Sequence, residues 1–115
     1  MKEFMFIIRG GSDQMPDKSP EAMQKHMADW NVWMGALSER GLLVGGEPLE
    51  EPGRTFIEGG TKVIDRPLAE GKELVGGYII VKADDMDGAC ALVDGCPAFD
   101  HHCSMEVRQI MQMQQ

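Results

Sequence analysis

The sequence predicts an α+β fold in which two helices lie on one face of an antiparallel sheet. Three observations lead to this prediction. Two strongly β-forming runs, residues 3–9 and 76–83, are rich in Ile, Val, Phe and Tyr. A long amphipathic segment lies between them, and a shorter helical segment follows the second run. Apolar and polar residues then alternate over residues 103–113, which is typical of a strand with one wetter face.

The first strand, EFMFIIR over residues 3–9, is apolar throughout its middle. Such a continuous run is typical of a strand buried at the centre of a sheet. The segment GGSDQMPDKSP follows, and its Gly, Asp and Pro residues predict a break in regular structure.

The first helix has clear start and stop signals. Ser19 is placed to cap it, Pro20 suits its first position, and Glu21 lies near the positive end of its dipole. Gly41 is the predicted stop, so the helix spans residues 20–40. Its apolar face consists of Met23, Met27, Trp30, Met34 and Leu37.

Two short strands, LLVGGEPL and TKVID, are predicted on either side of a segment rich in Gly and Pro. After the strand at residues 76–83, Asp84 or Asp85 caps a second helix. The expected inner face of that helix is Met86, Ala89, Cys90 and Val93. The order of elements is that of a ferredoxin-like split βαβ fold. One face of such a sheet stays uncovered, so we expect a homodimer that buries it.

The composition excludes several classes of protein. The 115 residues fit one domain, residues 1–115, and carry a net charge of −8 with a pI near 4.7. This acidity disfavours nucleic acid and anionic membrane surfaces as partners. The three irregularly spaced cysteines favour free thiols in a reducing cytoplasm, and the first apolar run is too short for a signal peptide.

Four segments together resemble the YCII-related family, which overlaps the DGPF-domain proteins. They are the opening strand MKEFMFIIRG, the first helix with its GG-x-PL exit, the stretch from DRPLAEGKELVGGYIIVKA onward, and the ending CPAFDHHCSMEVRQIM. The DGPF tetrad is Asp65-Arg66-Pro67-Leu68 here. Cys96 stands before a proline where some YCII-like proteins have an aspartate. The nearest carboxylate is Asp94.

The resemblance implies a dimeric α/β barrel built from ferredoxin-like halves. It also implies a small-molecule pocket with a histidine–aspartate dyad. Some relatives act on small, often aromatic, molecules, including by dehalogenation. We therefore predict His26 as a general base, with Asp94 or Asp65 orienting it, for elimination or isomerisation. Trp30, Trp33, Cys96 and Arg66 are the predicted pocket residues, and the ligand is a small molecule.

Each candidate has a plainer interpretation. His26 lines up with Trp30 and Trp33 at the edge of the apolar face, where a histidine bonded to backbone or water would also fit. Asp65 precedes Pro67 in a pattern common in turns. A buried, inert thiol is expected for Cys90 and Cys96. The second hypothesis for the whole chain is accordingly a non-catalytic ligand-binding or interaction module.

The segment CPAFDHHC, residues 96–103, is rich in metal-ligand side chains. A structural zinc site usually needs a second cluster of ligands elsewhere in the chain, and none is present. We therefore predict neither a native metal nor a cofactor. The segment is interpreted as the junction between the second helix and the last strand. A metal-assisted enzyme using His101, His102 and Cys103 is the third hypothesis.

Overall fold

The computed structural model describes residues 1–10 and 18–113. The predicted break over residues 11–17 lies outside them. The strands and helices are, in order, β1 (Lys2–Arg9), α1 (Pro20–Glu39), β2 (Leu43–Pro48), β3 (Thr55–Ile57), β4 (Lys62–Ile64), β5 (Val75–Ala83), α2 (Met86–Ala91) and β6 (Ser104–Gln109). Short 3-10 helices, Gly71–Glu73 and Pro97–His101, precede β5 and β6. The fold is therefore α+β with an antiparallel sheet and two helices, as the sequence predicted.

The main sheet has the strand order β2-β5-β1-β6, and all its neighbours are antiparallel. This is the order of a ferredoxin-like sheet, with the two most apolar strands in the middle. The strand predicted at TKVID is present as β4, but it does not join this sheet. It pairs with β3, which was not predicted, in a separate hairpin. Positive φ angles at Glu58, Gly59 and Gly60 make the tight turn that folds this hairpin on itself.

The core lies on the helix-facing side of the sheet. Along β1 the buried residues alternate as Phe4, Phe6 and Ile8, because successive strand side chains point to opposite faces. Ile79 and Val81 of β5 belong to the same buried cluster. The helices and the segment after α2 complete it with Leu37, Ala89, Cys96 and Ala98.

Helix α1 begins as its sequence predicts. Ser19 is the N-cap, and its hydroxyl accepts the Ala22 N–H at 3.2 Å. At the other end, Gly41 has a φ of +71°, a conformation that costs glycine little. The Leu42 N–H then donates to the Leu37 carbonyl at 3.0 Å, which closes the helix. α1 therefore ends at Glu39, one residue before the predicted boundary.

Helix α2 is shorter than predicted. Asp85 caps it by accepting the Gly88 N–H at 2.7 Å, but the helix ends at Ala91. Val93 consequently lies beyond its end, and Cys90 is exposed, although both were expected on its inner face. A helix of fewer than two turns presents only a narrow stripe to the core, and here that stripe is Ala89.

The opposite face of the sheet carries a different set of side chains. Met5 and Ile7 of β1 lie across from Ile80 and Tyr78 of β5, and all four are only partly buried. They alternate with the buried residues of the same strands, so they point away from the helices. Along the described part of the chain, no helix is long and apolar enough to cross a membrane.

Candidate functional site

A cavity of about 680 Å³ lies between α1 and the sheet. This volume is within the range of small-molecule sites. From α1 it is lined by Met23, His26, Met27, Trp30, Asn31 and Met34. Leu37 is the only fully buried residue of α1, while Trp30 and Met34 pack against the core and also line this cavity.

Glycines at the β2–β5 border let these two strands approach closely beside the cavity. Gly46 and Gly77, both in the lining, lie where the two strands pair. A Cβ atom at Gly46 would lie 2.7 Å from the Tyr78 carbonyl oxygen, and one at Gly77 would lie 3.0 Å from the Glu47 carbonyl oxygen. Any larger residue at Gly46 would therefore have to push backbone aside. The predicted GG-x-PL exit thus has a structural role in the floor of the cavity.

The polar centre of the cavity is a chain of three rings. The indole Nε1 of Trp30 donates to Nε2 of His26 at 3.0 Å. The other ring nitrogen of His26, Nδ1, lies 2.8 Å from Nε2 of His101. His101 belongs to the 3-10 helix Pro97–His101, which packs against α1 and also lines the cavity.

Hydrogen-bonding chemistry determines which ring nitrogens of His26 and His101 carry protons. An indole N–H can only donate, so Nε2 of His26 accepts and neutral His26 carries its proton on Nδ1. That proton is then donated to Nε2 of His101, which leaves the proton of neutral His101 on its Nδ1. Nδ1 of His101 is buried and has no partner among the described residues.

The surroundings of His26 favour its neutral form. Partial burial lowers the pKa of His26 below its ordinary value of 6.5, and the adjacent His101 ring lowers it further. The carboxylates of Asp29 and Asp100 act weakly in the opposite direction. At neutral pH His26 therefore has the unprotonated nitrogen that a general base requires.

The predicted partner Asp94 lies at the edge of this region. It is exposed, three residues beyond the end of α2, and its backbone carbonyl accepts the Trp33 indole N–H at 3.3 Å. Neither Asp94 nor Trp33 is in the lining of the cavity. Trp33 does touch the site indirectly, because its ring packs edge-on against Trp30.

Asp65 and Arg66 lie elsewhere, just after β4. Asp65 accepts a hydrogen bond from Arg54 at 3.0 Å, and the guanidinium of Arg66 donates to the carbonyls of Pro67 and Leu68. These residues border a second concavity beside the hairpin. The described contacts of His26 include neither of them, so the structure does not bring Asp65 or Arg66 to the His26 cavity.

The segment 96–103 forms a junction, as predicted, but its middle is a 3-10 helix. Cys96 is buried outside the cavity lining, and burial raises the pKa of its thiol to about 11. That thiol is therefore protonated and inert at neutral pH. His101 and His102 separate at the end of the 3-10 helix, where His102 is exposed with a φ of +60°. Among the described residues no three His, Cys, Asp or Glu side chains are grouped to hold a metal ion.

The order of these features along the chain matches one known family. The model of the YCII-related domain matches residues 3–114, which covers all the strands and helices described above except the first residue of β1. The chain belongs to the YCII-related family. Its cavity, polar ring chain and hairpin are thus features of a YCII-related domain, although the match does not assign roles to individual residues.

Solved structures similar to this YCII-related chain include one that matches almost its whole length. It is the 5-chloro-2-hydroxyhydroquinone dehydrochlorinase TftG from Burkholderia phenoliruptrix AC1100, in complex with 2,5-dihydroxybenzoquinone. The likeness covers 98% of this chain and 96% of that one, with a TM-score of 0.53 and 14% sequence identity. At that identity the likeness concerns the fold alone. No curated protein sequence matches this chain.

Sequence reasoning found His26 and Trp30 but did not find His101 as the neighbour of His26. The available signal was weak, because the two histidines are 75 positions apart. The segment CPAFDHHC suggested metal ligands, whereas its His101 contacts the predicted base.

Proposed function

We propose that this YCII-related protein binds a small organic molecule in the α1–sheet cavity and catalyses proton transfer on it, by elimination or isomerisation. His26 is the general base. The observation that supports this best is that His26 lies in the wall of a cavity of suitable size, neutral and held between Trp30 and His101.

The proposed step uses Nε2 of His26. The ligand displaces the Trp30 N–H from this nitrogen, and Nε2 then removes a proton from a carbon atom of the ligand. The electron pair of the broken C–H bond forms a new double bond, and in an elimination a leaving group departs with its own electron pair. In an isomerisation no group leaves: the electron pair of an existing double bond shifts to a different carbon atom, which takes the proton back from Nε2.

We assign the orienting role to His101. Its Nε2 accepts the Nδ1 proton of His26, which fixes the tautomer and the plane of the base. When His26 becomes positively charged, the same hydrogen bond becomes charge-assisted and therefore stronger. Asp94 and Asp65 were predicted for this role, which stays a prediction for both, and Asp65→Asn tests it below for Asp65.

The similar dehydrochlorinase supports the reaction class. TftG is a dehydrochlorinase of the same fold, and dehydrochlorination is an elimination. With 14% identity this is support by fold, so the substrate of TftG is a first compound to try here and not an assignment.

The test compares two histidine variants in an assay of halide release or double-bond formation. The panel starts with 5-chloro-2-hydroxyhydroquinone and extends to other halogenated hydroquinones. His26→Gln is expected to lower kcat/KM by about 10²- to 10⁴-fold, the usual contribution of a general base. His102→Gln is the matched control, because His102 is exposed and lies outside the cavity. Unchanged turnover in His26→Gln would remove His26 as the base.

One observation favours a non-catalytic binding module as the second candidate. The unprotonated nitrogen of neutral His26 already accepts a hydrogen bond from the Trp30 N–H, as in a histidine whose role is structural. In that case ligands bind the cavity with no chemical change. Ligand binding without turnover of any compound in the panel would favour this candidate.

We propose in addition that the protein is a homodimer, forming the two-sheet barrel expected for its family. The partly buried Met5, Ile7, Tyr78 and Ile80 would meet their copies across the interface. Sedimentation should then give twice the 12.7 kDa chain mass. Ile7→Glu should yield monomers, whereas Val32→Glu, at a site 75% exposed on α1, should not. A monomeric wild-type protein would contradict the proposal.

A further inference from the structure

The distribution of charge around the α1–sheet cavity is one-sided. Its lining contains no Lys or Arg among the residues that the structure describes, while it contains Glu47, Glu50 and Glu51. Residues 11–17 and 114–115 carry no Lys or Arg either, as the sequence shows. The described lining therefore offers no lysine or arginine to a ligand in this cavity.

No ion pair neutralises the three glutamate carboxylates within the described part of the chain. Glu47 is in β2, and Glu50 and Glu51 follow it in a segment anchored by the Leu49 N–H, which donates to the Gly76 carbonyl at 2.9 Å. Within residues 1–10 and 18–113, none of the three carboxylates has an ion-pair partner. All three are exposed, so water screens their charge in part, but no ion pair within those residues neutralises it.

The remaining wall of the cavity is suited to an aromatic ring. Trp30, Met23, Met27 and Met34 supply a flat indole and three flexible thioethers. Thioethers pack well against ring edges, and the face of an indole attracts a cation. A carboxylate or phosphate placed here would lose water and gain no positive partner, which is strongly unfavourable.

From these observations we infer that the cavity accepts single-ring compounds that are cationic or uncharged, and rejects carboxylates and phosphate esters. The inference rests on the proposed function in that it names the ligand class of the same cavity. The expected order of affinity at equal shape is cation, then neutral compound, then anion.

Three planar compounds of nearly identical shape test this order: benzamidinium, benzamide and benzoate. Binding is followed at low salt by the NMR signal of the Trp30 indole N–H, assigned with the help of Trp33→Phe. Dissociation constants are expected to be roughly millimolar for such small compounds. We expect benzamidinium to bind about tenfold or more tightly than benzoate, with benzamide between them.

Two double variants test whether Glu50 and Glu51 cause the preference for cations. Glu50→Gln/Glu51→Gln should reduce the ratio of benzamidinium to benzoate affinity by about three- to tenfold while benzamide binding stays unchanged. The matched control is Glu21→Gln/Glu39→Gln, which removes the same total charge from exposed positions outside the cavity lining. An equal reduction in the control would attribute the preference to the net charge of the protein and overturn the inference.

The outcomes separate this inference from the proposed function. Benzoate binding as tightly as benzamidinium, or no perturbation of the Trp30 signal by any of the three compounds, overturns the inference. Neither result bears on whether His26→Gln loses turnover. Conversely, the expected order of affinity together with unchanged turnover in His26→Gln would support the inference and remove the catalytic proposal.

Discussion

The α1–sheet cavity and the β3–β4 hairpin hold hydrogen bonds of similar length with very different surroundings. His26 lies 3.0 Å from the Trp30 nitrogen and 2.8 Å from the His101 nitrogen, in a partly buried wall. Arg54 and Asp65 also lie 3.0 Å apart, but their side chains are 71% and 85% exposed. Water screens and competes for the second pair, so distance alone does not indicate how much a contact contributes.

Some of the predicted site residues fall into two groups, one in the cavity and one beside the hairpin. His26 and Trp30 belong to the cavity, whereas Asp65 and Arg66 belong to the hairpin. Burial changes the chemistry of the first group, because it lowers the pKa of His26. The carboxylate of Asp65 is held by an arginine that is itself exposed, which fits a turn better than the positioning of a distant base.

The largest expected difference between the two regions is in stability. Phe6 is fully buried in the sheet core, and Phe6→Ala should lower the free energy of unfolding by about 3–5 kcal/mol. Phe56 lies across from Val63 on the hairpin and is 64% exposed, so Phe56→Ala should cost less than about 1 kcal/mol. Urea unfolding at one protein concentration measures both. Comparable losses would contradict the view that the hairpin packs weakly.

The next prediction concerns the Trp30 hydrogen bond. Trp30→Phe keeps an aromatic ring but removes the N–H that holds the neutral form of His26, so the pKa of His26 should rise. The free energy of unfolding should fall by about 1 kcal/mol, the usual net contribution of one hydrogen bond. NMR titration of the His26 ring measures the pKa. Trp33→Phe is the control, because its indole N–H donates to the Asp94 carbonyl and not to His26.

The lowered pKa of His26 predicts a pH dependence of stability. Because the folded-state pKa lies below 6.5, the unfolded chain binds the proton more readily. The stability contribution is therefore complete above pH 6.5 and is lost as pH falls through the folded-state pKa. Urea midpoints over roughly pH 5–8 should show this loss in the wild type. His26→Gln should lack this component, and identical pH profiles would contradict the assignment.

Replacing His101 by an acidic residue should raise the pKa of His26 instead of lowering it. His101→Glu puts a carboxylate beside Nδ1 of His26, and an opposite charge at that distance favours the imidazolium, so the pKa of His26 should rise. In an active enzyme, the acidic limb of the pH profile should move to higher pH. His102→Glu adds the same charge at an exposed position and should move it less. An equal movement in both variants would show that His101 has no special contact.

The smallest expected effect is at the hairpin. Asp65→Asn should change the free energy of unfolding by less than about 1 kcal/mol, the usual range for an exposed ion pair. It should leave kcat/KM unchanged, and Arg54→Gln should behave in the same way. A large loss of activity in Asp65→Asn alone would restore Asp65 as a partner of the base. The hairpin of one protomer would then reach the cavity of the other protomer in the proposed dimer.

Much of the fold could be predicted from local signals. Ser19, Pro20 and Gly41 mark the ends of α1, and their signals act within a few residues. The apolar runs of β1 and β5 likewise predicted the two central strands. Helix α2 was misjudged in length because its apolar pattern continues to Val93, whereas after Ala91 the backbone continues in turns such as the one closed by the Val93 N–H and the Cys90 carbonyl. Strand β3 was missed because the turn that pairs it depends on Glu58 adopting a positive φ, which few side chains favour.

The sequence by itself determined the helix caps, the central strands and the position of His26 beside Trp30, since each depends on neighbours within a few residues. It also carried the resemblance to the YCII-related family, which depends on the order of segments along the chain. Only the tertiary structure decided that His101 faces His26. It also decided that β2 and β5 approach closely at Gly46 and Gly77, and that Asp65 follows a separate hairpin. These relations join segments that are distant in sequence, and the packing of α1 over the sheet is what sets the distances between them.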